Sequence, residues 1–369
     1  MKSYSSNFFN LCQTLLVNMH YTRRKAGEYI NIYKKRNLIK SIKLSPKEKK
    51  AIDNLWKQYY GKKIPYCWHK LYASYTGMVD INYFPEILYS TNLEKRYNDF
   101  TTALIYEDKS QLDVVLKDYT TNESHTVPSI LYSTGGLFYN TKHEFISEAE
   151  AISLISNSGK CVIKPSMDSD SGRGVRVLDL KNGIDVKQNE GLQEIFKSYG
   201  TNFLVQNFIR THESLKSLNP SSVNTIRIIT YISEGKVYHC PLAMRIGASD
   251  AEVDNIHAGG FCIGIKDNGY LNENAFTEYG EKHSVHPKTG MVFGNHCIPS
   301  ITDAIKLVET KHQLIPRLTF ISWDVTIDED GKPLIVEMNT RNQSAWFPQM
   351  VNGLSLFGEN TPKMIKMLK

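Results

Sequence analysis

No C-x-x-C pair occurs among the six cysteines of this 369-residue chain, so neither a zinc site nor a disulfide framework is signalled. Cys12, Cys67, Cys161, Cys240, Cys262 and Cys297 stand apart, as expected of reduced thiols in a cytoplasmic protein. No apolar run is long enough to cross a bilayer. A signal-peptide layout is missing, because Arg23, Arg24 and Lys25 follow the N-terminal apolar stretch instead of preceding it. Internal repeats and low-complexity tracts are absent. There is no G-K-[ST] and no strand–glycine–helix fingerprint, which excludes Walker and Rossmann nucleotide sites. What remains is an ordinary folded composition, 41% hydrophobic and 22% charged, in a chain long enough for two or three domains.

Charge is unevenly spread. Residues 1–50 hold twelve Lys and Arg against Glu28 and Glu48, a charge of +10, which leaves −4 for the rest of the +6 chain. A basic arm on a slightly acidic body attracts anionic surfaces. Within it, Phe8, Leu11, Cys12, Leu15, Leu16 and Met19 share one helical face. Two readings stand: a helix packed on its own domain, or an interfacial helix at the inner face of the membrane. Nucleic-acid binding has no recognisable module behind it.

Ser45-Pro46 with Glu48 starts a helix that runs to Tyr60 and stops at Gly61. Residues 62–95 are aromatic-rich and read as a compact irregular cap. Beyond residue 100, β-branched runs alternate with Gly, Asn and Asp turns: 160–164, 174–180, 203–209, 225–232, 237–246, 261–265, 318–327 and 333–338. Helical patterns lie at 147–156 and 303–313. The class is α+β, dominated by antiparallel hairpins. The expected domains are 1–95, a basic helical extension and cap; 96–202, a small subdomain; and 203–369, a large one.

Three constellations carry chemistry. In the hairpin 321–339, Asp330-Gly331 suits a two-residue type I′ turn. That register sets Asp324 opposite Glu337 and Ser322 opposite Asn339 on one face. Opposed carboxylates in apolar flanks need a cation, and oxygen ligands suit Mg²⁺; a solvated face is the other reading. The second is Cys161–Val175, where a strand ends in Lys164 and a polar loop with Gly172 and Gly174 follows. Such a loop can wrap phosphate oxygens, or be a plain glycine-containing hairpin. The third is Arg227 and Arg245, embedded in apolar strands. Buried arginine needs an anion, either phosphate or a structural carboxylate.

In order along the chain, Asp108-Lys109, Val162–Pro165, Ser171–Val175, Val205–Ile209, Ser222–Arg227, Met244–Gly247, Val253–Gly260, His286–Gly290, Ser322–Asp324 and Val336–Asn339 resemble the sugar-transfer-associated ATP-grasp family. The resemblance covers roughly residues 45–355 and implies an ATP-grasp fold, two α+β subdomains gripping ATP. It implies that Lys109 and Lys164 contact ATP from the two sides of the cleft. Ser169, Ser171, Gly172, Gly174 and Val175 would form a lid over the phosphates. The backbone of Gln206, Asn207 and Phe208 would read adenine, and Glu213 the ribose. Arg227 and Arg245 would stabilise the transferring phosphate, while Asp324, Glu337 and Asn339 would hold two magnesium ions. Asp254 and Asn255 would shape the catalytic floor, with His257, Gly259, Gly260 and Arg341 toward substrate. Two departures are Gln206, where many ATP-grasp enzymes have glutamate, and Thr340-Arg-Asn-Gln343 in place of Asn-x-Pro-Gly.

The implied activity is an ADP-forming carboxylate–amine ligase acting through an acylphosphate, joining an amino acid or related group to a sugar precursor or glycan in bacterial surface-polysaccharide biosynthesis. A sugar or glycan kinase, and a non-catalytic nucleotide-binding partner of glycosyltransferases, are the alternatives.

Overall fold

A computed structural model describes residues 2–121, 123–167, 172–220, 223–247 and 260–369, with side chains from residue 14 onward. The chain opens with four helices: α1 (Lys2–Lys34), α2 (Arg36–Ser41), α3 (Pro46–Tyr60) and α4 (Cys67–Thr76). Helix α3 has the expected ends. Ser45 and Glu48 form a reciprocal capping box, Pro46 occupies the first turn and Gly61 closes it at φ 88. The expected irregular cap is instead largely helical. Trp68, Leu71, Tyr72 and Tyr75 of α4 are all buried, and their spacing is the i, i+3, i+4, i+7 stripe of an amphipathic helix. The surrounding tyrosines hid that stripe in the sequence.

Two antiparallel sheets follow. The first contains β1 (Ser129–Thr134), β2 (Leu137–Tyr139), β3 (Phe145–Ile146), β4 (Gly159–Pro165), β5 (Arg176–Lys181), β6 (Ile184–Asp185), β7 (Glu190–Gly191) and β8 (Phe203–Asn207). Their order is β3-β2-β1-β8-β4-β5-β6-β7. Residues 203–207 thus lie in the first sheet, and residues 148–155 and 192–199 are helices whose Ile155, Ile195 and Phe196 fill its core.

The second sheet contains β9 (Ile226–Ser233), β10 (Lys236–His239), β11 (Leu242–Ile246), β12 (Phe261–Ile265), β13 (Leu271–Phe276), β14 (Lys282–His283), β15 (Phe320–Ile327) and β16 (Pro333–Asn339). Its order is β14-β13-β12-β11-β9-β15-β16, with β10 also paired to β9. The run expected at 237–246 splits into β10 and β11 at Cys240-Pro241, where proline lacks a donor for the ladder. Helix Ile301–His312 covers one face of this sheet, and α3, α4 and the C-terminal segments cover the other. Every residue of β15 is therefore buried. Ile321, Trp323, Val325 and Ile327 enter the core under helix Ile301–His312. Ser322, Asp324 and Thr326 alternate onto the opposite face.

Candidate active site

The register of β15 and β16 sets Asp324 opposite Glu337 and Ser322 opposite Asn339, as expected, but by two offsets that cancel. The turn is not type I′. Gly331 donates to Asp328 O at 3.0 Å, and of residues 328–331 only Gly331 has positive φ, at 81. This three-residue connection shifts the register by one, and a bulge at Val336 shifts it back. The bulge also turns Val336 and Glu337 toward the same cleft.

The cation that Asp324 needed comes from the protein. In the neighbouring strand β9, Arg227 is its direct register partner. Arg227 Nε and Nη2 donate to the two carboxylate oxygens at 2.6 and 3.0 Å, and Arg245 Nη2 adds a third bond at 3.1 Å. The two arginines thus share a face. Burial alone would raise the Asp324 carboxyl, but the Arg227 and Arg245 guanidiniums overcome it and hold it below the ordinary carboxylate value.

Glu337 is more open. One of its oxygens lies 3.1 Å from Lys109 Nζ, and the other has no partner among the described residues. Lys109 is anchored to the first sheet's side, its backbone N–H donating to Ser166 O at 2.9 Å. Their ion pair therefore crosses between the two halves. Beside it, the Lys164 side chain is buried with no carboxylate at ion-pair distance among the described residues. Its ammonium is held down at about 8: burial lowers it most, Glu337 pulls it up, and Lys109 lowers it.

Asn339 donates through Nδ2 to Ser322 O at 3.3 Å and Asp324 Oδ2 at 3.4 Å, which leaves its oxygen available. Ser322 Oγ is buried without a hydrogen-bond partner among the described residues. The open donors, a Glu337 oxygen and the Asn339 carbonyl, are hard oxygen ligands that suit Mg²⁺. Among the described residues no group of three or more His, Cys, Asp or Glu could hold a metal ion.

These residues line one cleft of about 1180 Å³ between the two sheets. Residues 206–210 run along it where β8 ends. The Gln206 amide turns away, donating to Val127 O and Ser129 Oγ at 3.1 Å each. A glutamate could not make those bonds, which gives the departure at Gln206 a structural reason. Backbone groups of Phe208 and Ile209 carry no partner among the described residues. Val162 and Val177, paired across β4 and β5, form an apolar wall, with Val336 and Met338 also lining the cleft. Gly172 and Gly174 adopt φ 75 and 72. A Cβ on Gly174 would meet the Pro165 ring at 2.9 Å, so only glycine fits.

Glu213 also lines the cleft, exposed beside Lys216. Arg341 does so too, but it is already paired with Glu107. Gly260 is buried ahead of β12. Ser169, Ser171, Asp254, Asn255, His257 and Gly259 lie outside the described residues.

Sequence reasoning missed the far end of the cleft. Arg24, Glu28, Asn31 and Lys35 line it together with Glu278 and Trp346. The 24, 28, 31, 35 spacing was a usable signal, since it marks one helical face, but the row looked like ordinary solvated charge.

Residues 88–363 match the sugar-transfer associated ATP-grasp family. The chain belongs to that family. Solved structures of similar fold are more distant. An N5-carboxyaminoimidazole synthetase from Staphylococcus aureus, complexed with ADP, is 12% identical over 71% of this chain and 56% of that one, at a TM-score of 0.40. An L-amino acid ligase from Bacillus licheniformis is 14% identical over 73% and 49%, at 0.38. A D-alanine–D-alanine ligase from Bacillus anthracis is 16% identical over 66% and 60%, at 0.36. The chain spans about half of the length of the solved structures it matches. No functionally curated protein matches it. The family match and the two antiparallel sheets give the chain an α+β, ATP-grasp fold. Helices 1–87 lie outside the family match, yet α1 and α4 line its cleft.

Proposed function

We propose that this ATP-grasp enzyme is an ADP-forming, Mg²⁺-dependent carboxylate–amine ligase that modifies a sugar precursor or glycan. The observation that carries the reading is Lys164: a buried ammonium on the cleft, without a carboxylate partner, beside the Lys109–Glu337 pair. Burying such a charge is costly unless an anion arrives, and polyphosphate is the anion this fold binds. Phosphate and its cation would satisfy Lys109 and Glu337 separately, so the ion pair between them is a placeholder. Glu337 and Asn339 would hold Mg²⁺, which neutralises charge on the transferring phosphoryl group. The free backbone of Phe208 and Ile209 would face adenine between Val162, Val177 and Met338, with Glu213 toward the ribose. Gly172, Gly174 and Val175 would lie over the phosphates.

Asp324 favours a ligase over a kinase. A kinase deprotonates a hydroxyl, and Asp324, held acidic by two arginines, is a poor base. A carboxylate substrate needs no base. Its oxygen attacks the γ-phosphorus, the bond to the β-phosphate oxygen breaks, and ADP leaves. The amine then attacks the acyl carbon, and phosphate departs with the proton that the amine gives up. Arg227 and Arg245 sit where they can meet the acylphosphate.

The test is ADP release against a panel of amino acids and uronic-acid sugars, with hydroxylamine added to trap acylphosphate. Carboxylate-dependent hydroxamate is expected from the wild type, and Glu337→Gln should lower it by about a hundred-fold or more, as for loss of one strong charge-stabilising group. A phosphorylated sugar with no hydroxamate would establish the kinase instead.

A further inference from the structure

We propose that α1 is a membrane-docking helix whose outer face lies on an anionic lipid surface and whose inner face walls the far end of the catalytic cleft. Among the described residues no helix is long and apolar enough to cross a membrane, so the contact is peripheral. The helix is 33 residues long, or about 50 Å. Leu15, Leu16, Met19, Tyr29, Ile30 and Tyr33 are each more than half exposed. Positions 15, 19, 26, 30 and 33 lie along one side of the helix, with exposed Thr22 and Ala26 in the middle. Exposed apolar side chains along one side of a helix this long on a folded protein call for a partner.

The opposite face is engaged. Arg24 and Ala26, Glu28 and Ile30, Asn31 and Tyr33 are each two residues apart, about 200° round the helix. Arg24 Nη2 donates to Gln343 O at 2.8 Å, and Glu28 is buried. Just past the helix end, Lys35 pairs with Glu278 at 2.9 Å above the Trp346 ring. One helix thus presents a polar row to the cleft and an apolar row outward.

Charge selects the occupant. Arg23, Lys25, Lys34, Arg36, Lys40 and Lys43 flank or follow the stripe and are exposed. A second copy would set one basic arm against another, which is repulsive. A bilayer of anionic lipid accepts the apolar stripe and the flanking cations together. The far end of the cleft is then held about one helix diameter, ~10–12 Å, from the lipid surface.

The experiment uses the full chain with vesicles of phosphatidylcholine, alone or with about one-third phosphatidylglycerol. The protein should sediment with the anionic vesicles, detach as salt rises, and bind the neutral ones weakly. The variant L15E/M19E/I30E alters only exposed side chains and should lower binding by about ten-fold or more; R23Q/K34Q/K40Q, which keeps the stripe, should lower it on anionic vesicles alone. Nucleotide binding, measured in parallel, should be unchanged in both, which shows that the cleft is folded and separates docking from the ligase reading. No binding by the wild type, or equal binding by L15E/M19E/I30E, overturns the proposal. So does a wild-type dimer in sedimentation velocity that L15E/M19E/I30E dissolves, because the face then belongs to a second copy.

Discussion

Lys109 and Glu337 lie 3.1 Å apart across the cleft, and a charge-swapped pair distinguishes two roles for them. If they only hold the halves together, Lys109→Glu with Glu337→Lys restores what either single change removes. If they meet phosphate and cation, the double variant folds as the wild type does but stays inactive. We expect the second outcome, read as a normal unfolding midpoint with ADP release still down about a hundred-fold. Lys164 makes a separate prediction from pH. Its ammonium titrates near 8 in the free protein, against an ordinary 10.5. Phosphate favours the charged form, so nucleotide binding should take up a proton as pH rises past 8. Affinity should be greatest below pH 8 and fall as pH rises through it. Calorimetry in buffers of different ionisation enthalpy reads the uptake, and Lys164→Met should abolish it.

Glu94 shows what happens where an element docks. It is buried, and its N–H partner is Gln343 at 3.1 Å. Glu86 accepts from Ala345 N–H at 3.0 Å, and Arg24 lies 3.8 Å from Glu86. Together they clamp the segment that replaces Asn-x-Pro-Gly. Burial pushes the Glu94 carboxyl up to about 8 from an ordinary 4.5. The folded state then binds more protons than the unfolded one between those values, so this contribution to stability is full below 4.5 and lost as pH rises toward 8. Burial raises Glu28 and Glu86 in the same direction. Buried His69 and His312, held down at about 4, act in the opposite sense up to pH 6.5, so the thermal midpoint should fall between pH 6.5 and 8, and Glu94→Gln should flatten that slope; an equally steep slope in the variant would refute it. At this scale local chemistry was legible: the Ser45–Glu48 box and Gly61 bound α3 where the sequence puts them. The Asp324–Glu337 pairing was legible too, though only because the longer turn and the Val336 bulge compensate. Its counter-ion was not, because Arg227 stands 97 residues away and strand order is a tertiary property.

At the scale of the molecule, alternation of strands and turns indicated an α+β fold of antiparallel hairpins, and the ordered motifs its family. The cleft's far wall was illegible because it joins helix α1 to residues 341–346, three hundred positions apart in the chain. That joining makes truncation informative. Removing residues 1–41 deletes His20, which bonds Asn342 at 2.9 Å, along with Arg24 and Lys35. Buried Glu86 loses its neighbouring guanidinium, and the segment at 342–343 loses two of its hydrogen-bond partners. The hinge at 206–210, Lys164 and Glu337 are left in place. The truncated protein should therefore unfold at lower urea and still bind nucleotide, while acceptor-dependent ADP release disappears. Retained acceptor-dependent turnover at an unchanged urea midpoint would show instead that the family segment 88–363 needs no N-terminal wall.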